Sequence, residues 1–362
     1  MATVTLKNLV AGLDLTIGDR EFIVLAGPGD EGSAIVRAVA GLTDTAAGEI
    51  LFDEKPINNI APGERDVALL SHDYVPYPGL SVYENLALGL KQRRFGEAEI
   101  KKRIAAVAGA LGIQDRLESP ADSLSISERR FVGLARAMVR QPRVYLFDRP
   151  FANLRSADAD RGRAAIAELQ QRASATMIYA TNDPMEALAF STRAAVIIGG
   201  AVQQNAEAQA VYDAPANLLV AKFFGDPPMN LVQGTLKVDR EVVTFAEAGE
   251  GTIALALPFF DGSRDLAGQP VTLGFRPESI EIAPSADGSN RPGKGFRALV
   301  ERVESRGSHT DLYLCTGAHE LVCRTGHWES QGGRRLQFAI DPAKTHLFSG
   351  QDGLRLKRDN CP

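Results

Sequence analysis

The chain has 362 residues, 44% of them hydrophobic and 23% charged, with a formal charge of -5. At roughly 100–200 residues per domain this length predicts two or three domains with a sizeable core. The acidic balance argues against nucleic acid as the main partner. No run approaches about 18 uninterrupted apolar residues, so a membrane-spanning class is excluded together with collagenous and disordered ones. Three cysteines, Cys315, Cys323 and Cys361, are too few and scattered for a disulfide framework or a metal cage and predict a reducing compartment. The opening MATVTLKNLV has neither a basic nor an apolar leader region, which predicts no signal peptide.

In chain order, 21–26 is an apolar run ended by Gly27-Pro-Gly29, followed by helical spacing through 33–42 (Ile35, Val36, Val39, Ala40). Strand, glycine turn, helix is the opening of a wound parallel sheet. Further buried strands are expected at 67–70, 144–147, 176–180 and 194–198, each short, continuously apolar and flanked by polar turns. Helices are expected at 97–111, 127–140, 156–172 and 184–189. Near 224–230, FGDPPMN, the pattern changes. Short alternating segments follow at 242–245, 252–257, 271–275, 279–282, 298–303, 312–315 and 336–340, which predict a small β-barrel or sandwich. The stretch 287–295, DGSNRPGKG, reads as an exposed loop.

Several segments fall in a telling order: the glycine turn at 27–34, Tyr77-Pro-Gly-Leu-Ser-Val-Tyr-Glu-Asn85, Leu124-Ser125 before Arg129, the apolar run into Asp148-Arg-Pro150, and 177–187, MIYATNDPMEA. With 224–231 and Leu273-Gly-Phe-Arg-Pro-Glu278, they make the chain resemble the ATP-binding subunits of ABC transporters. The likeness is to sugar importers with a C-terminal regulatory β-domain, the maltose-importer ATPase type. The resemblance implies an α/β P-loop nucleotide-binding domain over 1–230, with a helical subdomain at about 84–140, and an OB-like all-β regulatory domain over 231–362. It also implies Mg-ATP as cofactor, a paired ATPase subunit, two transmembrane permease subunits, an external solute-binding protein met indirectly, and a place on the cytoplasmic face of the membrane.

The departures from that family pattern carry the functional argument. A working phosphate loop needs glycines, a lysine on the β/γ-phosphates and a hydroxyl on Mg²⁺. Here Gly27, Gly29 and Gly32 are present, the loop is one residue short, Gly32 falls where the lysine belongs, and Ser33 is the metal-side hydroxyl. Asp30 and Glu31 stand where phosphates would lie. Like charges about 4 Å apart repel by roughly 4 kcal/mol at an effective dielectric of about 20, more than the roughly 0.3–2 kcal/mol by which a helix N-terminus attracts an anion. Asp148 would hold the metal, but Arg149 follows where the family places its catalytic carboxylate, and a guanidinium cannot serve as a base. The resemblance aligns His72 with the family's glutamine, Asn182 with its γ-phosphate-sensing histidine, and Arg155 with the aspartate of its cross-subunit loop.

The segment corresponding to the signature that clamps a partner's nucleotide reads Leu124-Ser125-Ile126-Ser127-Glu128. Ser125 keeps a hydroxyl, Ile126 and Ser127 replace glycines that permit close approach, and Glu128 adds negative charge. Arg149 and Arg155 are therefore expected to pair with Asp30, Glu31 or Asp148, neutralising a vacated pocket. The resemblance implies a groove here for a short helix of a permease subunit, and Tyr77, Leu80, Val82 and Tyr83, with Tyr74, Pro78 and the helix at 100–111, supply apolar groups suited to hold it. The reading is a non-catalytic subunit paired with a competent ATPase in a sugar or polyol importer. Its alternatives are a regulatory module without a transport role and an ATPase using atypical residues. Arg276 and Glu278 read as turn residues, and His327 and Trp328 as packing groups.

Overall fold

Continuously apolar strands need cover on both faces, and the computed structural model gives it to them. It describes residues 2–9, 12–44, 47–190, 192–239, 242–258, 260, 265–283, 295–328 and 332–358. Cys361 and most of the expected 287–295 loop lie outside these. The chain folds as two units, Met1–Gln209 and Ala210–Pro362.

In the first unit, β1 (Val4–Leu9), β2 (Leu13–Ile17), β4 (Glu49–Phe52) and β5 (Lys55–Pro56) form an antiparallel sheet in the order β2-β1-β4-β5. The second sheet contains β3 (Phe22–Ala26), β6 (Val67–Ser71), β7 (Val144–Asp148), β8 (Thr176–Thr181), β9 (Arg193–Ile198) and β10 (Ala201–Glu207). Its order is β10-β9-β3-β8-β7-β6, parallel except for β10. Helix α1 (Glu31–Ala40) buries Ile35, Val36 and Val39 in a core shared by both sheets. Gly41, left-handed at φ 76°, ends it.

Three helices, α2 (Val82–Gln92), α3 (Glu97–Leu111) and α4 (Ile126–Arg140), pack on one another. Ser81 opens α2 with a capping box to Glu84, and Gly112 ends α3 at φ 61°. Helices α5 (Ser156–Arg172) and α6 (Pro184–Phe190) flank β8 in sequence. Among the described residues no helix is long and apolar enough to cross a membrane.

Helix α7 (Ala208–Asp213) crosses the division, and α8 (Leu218–Phe223) belongs to the second unit. That unit is two five-stranded antiparallel sheets. One has the order β13-β12-β11-β14-β20, built from β11 (Asn230–Asp239), β12 (Val242–Glu247), β13 (Ala254–Leu257), β14 (Pro270–Phe275) and β20 (Thr345–Ser349). The other, β15-β19-β16-β17-β18, contains β15 (Ile280–Ile282), β16 (Gly295–Ser305), β17 (Thr310–Cys315), β18 (Glu320–Thr325) and β19 (Arg334–Ile340). One apolar cluster, with Phe245, Phe275, Phe296 and Phe338 at its heart, joins both sheets, and Trp328 packs against it. Cys323 is buried there, and burial pushes its thiol up to about 12.

Candidate functional site

The site begins where β3 ends. Gly27 has no room for a side chain, because a Cβ would stand 2.1 Å from the Ile197 carbonyl oxygen. Glu31 folds back over the loop. A Cβ on Gly29 would fall 2.2 Å from Glu31 Oε2, and Glu31 Oε1 accepts the Gly200 N–H at 3.2 Å. At Gly32 a Cβ would lie 3.2 Å from the Leu25 carbonyl oxygen and 3.3 Å from Ala180 Cβ. The direction a side chain would take at the lysine-aligned position is thus into the packing of α1 on β3 and β8.

Next to the loop, β7 delivers Asp148 fully buried. Ser33 Oγ donates to Asp148 Oδ1 at 2.5 Å, and Arg37, one turn further along α1, donates from Nε to Oδ2 at 3.0 Å. Arg149 completes the cluster, with Nη1 3.0 Å from Asp30 Oδ1 and Nε 3.7 Å from Asp148 Oδ1. It holds a left-handed backbone, φ 46°. The bond to Asp148 holds Arg37 still more firmly protonated. Both carboxylate oxygens of Asp148 are therefore engaged by the chain's own hydroxyl and guanidinium groups. Among the described residues no group of three or more His, Cys, Asp or Glu is arranged to hold a metal ion.

Arg149 meets two of the three acids expected for it, but Arg155 meets none. Its Nε and Nη2 both donate to Asp158 Oδ2 at 3.2 Å, because Arg155 is the N-cap of α5 and Asp158 lies in the first turn. Arg37 was missed by sequence reasoning. Its signal was the i,i+4 spacing from Ser33, which puts both on one helix face.

A cavity of about 490 Å³ opens beside this cluster, lined by His72, Arg149, Arg163, Thr181, Asn182 and Glu186 among others. The His72 N–H donates to the Asp148 carbonyl at 3.0 Å, and its buried Nδ1 has no partner among the described residues. Asn182 is exposed at the rim. Glu186 is a second residue that sequence reasoning missed. It is buried, accepts from Thr181 Oγ1 at 2.5 Å and lies 3.2 Å from Arg163 Nη1. Burial raises its carboxyl above the usual range.

The signature-like segment corrects one expectation. Glu128 does not project a free negative charge. It closes a capping box on α4, accepting the Ser125 N–H at 2.9 Å and the Ser125 hydroxyl at 2.8 Å, and it pairs with Arg116 at 2.9 Å. The Ser125 backbone bond is the main reason its carboxyl lies below the usual range. Ser125 is thereby an N-cap, Ser127 donates to Asp158 at 2.7 Å, and Ile126 stands 65% exposed at the helix start. A cavity of about 560 Å³ adjoins these four residues.

The apolar group proposed for docking divides. Val82 is wholly buried as the first residue of α2, so it belongs to the helical core and offers no surface. Ile100, Ile104 and Ala108 of α3 are likewise interior. Tyr77 is 45% exposed, its ring under the Arg136 guanidinium at 4.6 Å and its backbone held at both ends by the buried Asn85 side chain. Val75 and Pro78 are exposed beside it, and Leu80 and Tyr83 are half-buried.

Comparison with known proteins places this geometry in a family. Residues 10–152 match the ABC transporter family model. The chain is 33% identical over 356 residues to YcjV, an uncharacterized ABC transporter ATP-binding protein of Escherichia coli O157:H7, covering 97% of this chain and 95% of that one. It is 35% identical over 351 residues to the sn-glycerol-3-phosphate import ATP-binding protein UgpC of Escherichia coli O1:K1 / APEC, covering 96% and 95%. The chain belongs to the ABC transporter ATP-binding proteins. This ABC subunit is of the sugar-importer type: residues 225–280 match the MalK OB fold domain and 268–348 a TOBE domain. Its fold is also shared with cbiO1 of Clostridium perfringens, at 22% identity and a TM-score of 0.52, over 58% of this chain and 90% of the other.

Proposed function

We propose that this ABC subunit is the non-catalytic member of an importer's ATPase pair, coupled to two permease subunits on the inner face of the membrane. It pairs with a competent ATPase subunit that holds the Mg-ATP. The observation that carries this reading is Arg149, a permanent cation at the position of the base, bridging Asp30 and Asp148. The residues at 27–34 and 148–149 do not fit a magnesium triphosphate: Glu31 covers Gly29, and Arg37 and Ser33 engage Asp148. A triphosphate would have to displace ion pairs and face two carboxylates.

The role left to the chain is mechanical and electrostatic. The partner's loop would face Ser125–Glu128, where the start of α4 offers backbone N–H groups but Ile126 holds phosphates at a distance. The exposed group around Tyr77 would receive a short helix of a permease subunit, and the packed helices α2, α3 and α4 would carry its displacement. The solute class is a sugar or a polyol, and a solute-binding protein would be met only through the permeases. The relative named for sn-glycerol-3-phosphate import extends that class to a phosphorylated polyol.

Co-expression with a candidate ATPase and its permeases tests this reading. The expected product is a one-to-one pair whose turnover is lost when the partner's catalytic carboxylate is removed. Ser33→Ala in this chain should change turnover by less than about twofold. Recovery only as a homodimer, or equal loss from Ser33→Ala, contradicts it.

A further inference from the structure

The C-terminal unit holds a cavity of about 530 Å³ whose lining includes Arg276, Lys344, Arg355 and Arg358, against two acids, Asp213 and Glu278. Both acids act electrostatically on Arg276, which leaves the lining with two more cations than acids. Glu278 accepts the Tyr212 hydroxyl at 2.6 Å.

Arg276 is the anchor. It is 5% exposed, it donates from Nη1 to the Phe224 carbonyl and from Nη2 to the Tyr212 carbonyl, both at 2.5 Å, and it stacks on the Tyr212 ring at 3.8 Å. Its Nε is buried without a partner. Arg358 donates to the Thr345 carbonyl at 2.5 Å. The two guanidinium groups are held by backbone carbonyls, which orient a cation without cancelling its charge. Positive charge gathered around a cavity is costly where acids do not balance it in full. The lining invites an external anion to supply the balance.

We propose that this cavity is a binding site for a small dianion of the phosphate class. The excess of four cations over two acids matches a doubly charged ligand, and guanidinium groups recognise its oxygens by paired N–H donation. His346 lines the same cavity and is placed to report occupancy. The proposal does not depend on the transport role argued above.

Calorimetric titration of the full chain with inorganic phosphate, at fixed ionic strength, tests it. Saturable one-to-one binding is expected, weakened tenfold or more by Lys344→Ala with Arg355→Ala at an unchanged melting temperature. Of the five histidines, phosphate should move the NMR signal of His346. Tighter binding of glycerol 3-phosphate would identify the ligand as a phosphorylated metabolite, equal or weaker binding as free phosphate, and both outcomes support a dianion site. No saturable binding, binding that survives the double substitution with His346 unmoved, or acetate binding as tightly as phosphate would overturn it.

Discussion

Arg149 Nη1 lies 3.0 Å from Asp30 Oδ1 while its Nε stands 3.7 Å from Asp148 Oδ1, so one guanidinium ties the end of β7 to the residue that caps α1. Asp30 is 82% exposed, and exposed ion pairs contribute only about 0–1 kcal/mol. Arg149 also bears a left-handed backbone that costs a non-glycine residue about 1–2 kcal/mol. Arg149→Gly should therefore be more stable than Arg149→Ala by about 1 kcal/mol in urea denaturation. Equal stabilities would show that the left-handed backbone is not maintained.

Asp148 is fully buried, and Arg37 is the closest charge to it. Removing one partner of a buried pair costs about 3–5 kcal/mol, less here because Arg37 is partly exposed. Arg37→Ala should destabilise by about 2 kcal/mol, more than Arg149→Ala. The reverse order would show that Arg149, not Arg37, neutralises the buried acid.

At Gly32 a side chain meets Leu25 and Ala180. Gly32→Lys should lower stability by about 1–3 kcal/mol through overpacking and should not create nucleotide binding. A gain of ATP affinity with an unchanged melting temperature would contradict that geometry.

Tyr77 and Val82 lie five residues apart with opposite fates. Val82→Ala opens a cavity in the helical core and should cost about 2 kcal/mol. Tyr77→Ala should leave stability within about 1 kcal/mol while reducing permease co-purification severalfold. Undiminished co-purification would remove Tyr77 from the docking surface.

Much of this fold was legible. The spans of α3 and α5 follow from helical apolar spacing between strong stop signals, Gly96 and Gly112 for the first, and β7 from an apolar run ended by an acid. Strands β1, β2 and β4 were not predicted: β1 and β2 are short segments joined as a local hairpin, and β4 is a four-residue run whose pairing with β1 is long-range. The charges around Arg149 were readable because an arginine beside an apolar-strand acid needs a counterpart. The i,i+4 spacing of Arg37 from Ser33 was readable, but that β7 comes to lie beside α1 is a tertiary fact. Glu128 was misread although Ser-x-x-Glu is a capping signature. Val82 was misread for the same reason, since the Ser81–Glu84 box starts a helix whose first residue turns inward.

His346 makes the C-terminal unit sensitive to acid. Burial, then Arg355, Arg358 and Arg276, lower its pKa from 6.5 to about 4. Between these values the unfolded chain binds the proton and the folded one does not, so stability is fully present above about pH 6.5 and is lost as pH falls towards 4. The loss is about 3 kcal/mol. Denaturation at a series of pH values should show this slope in the wild type and a flatter one in His346→Gln. An unchanged slope would assign the acid sensitivity elsewhere.

Equilibrium titration of the purified chain with Mg-ATP, in the absence of any partner, addresses the central claim. No saturable binding is expected up to millimolar nucleotide, because acid covers the loop and guanidinium groups hold Asp148. One-to-one binding in the low micromolar range, lost in Ser33→Ala, would contradict it.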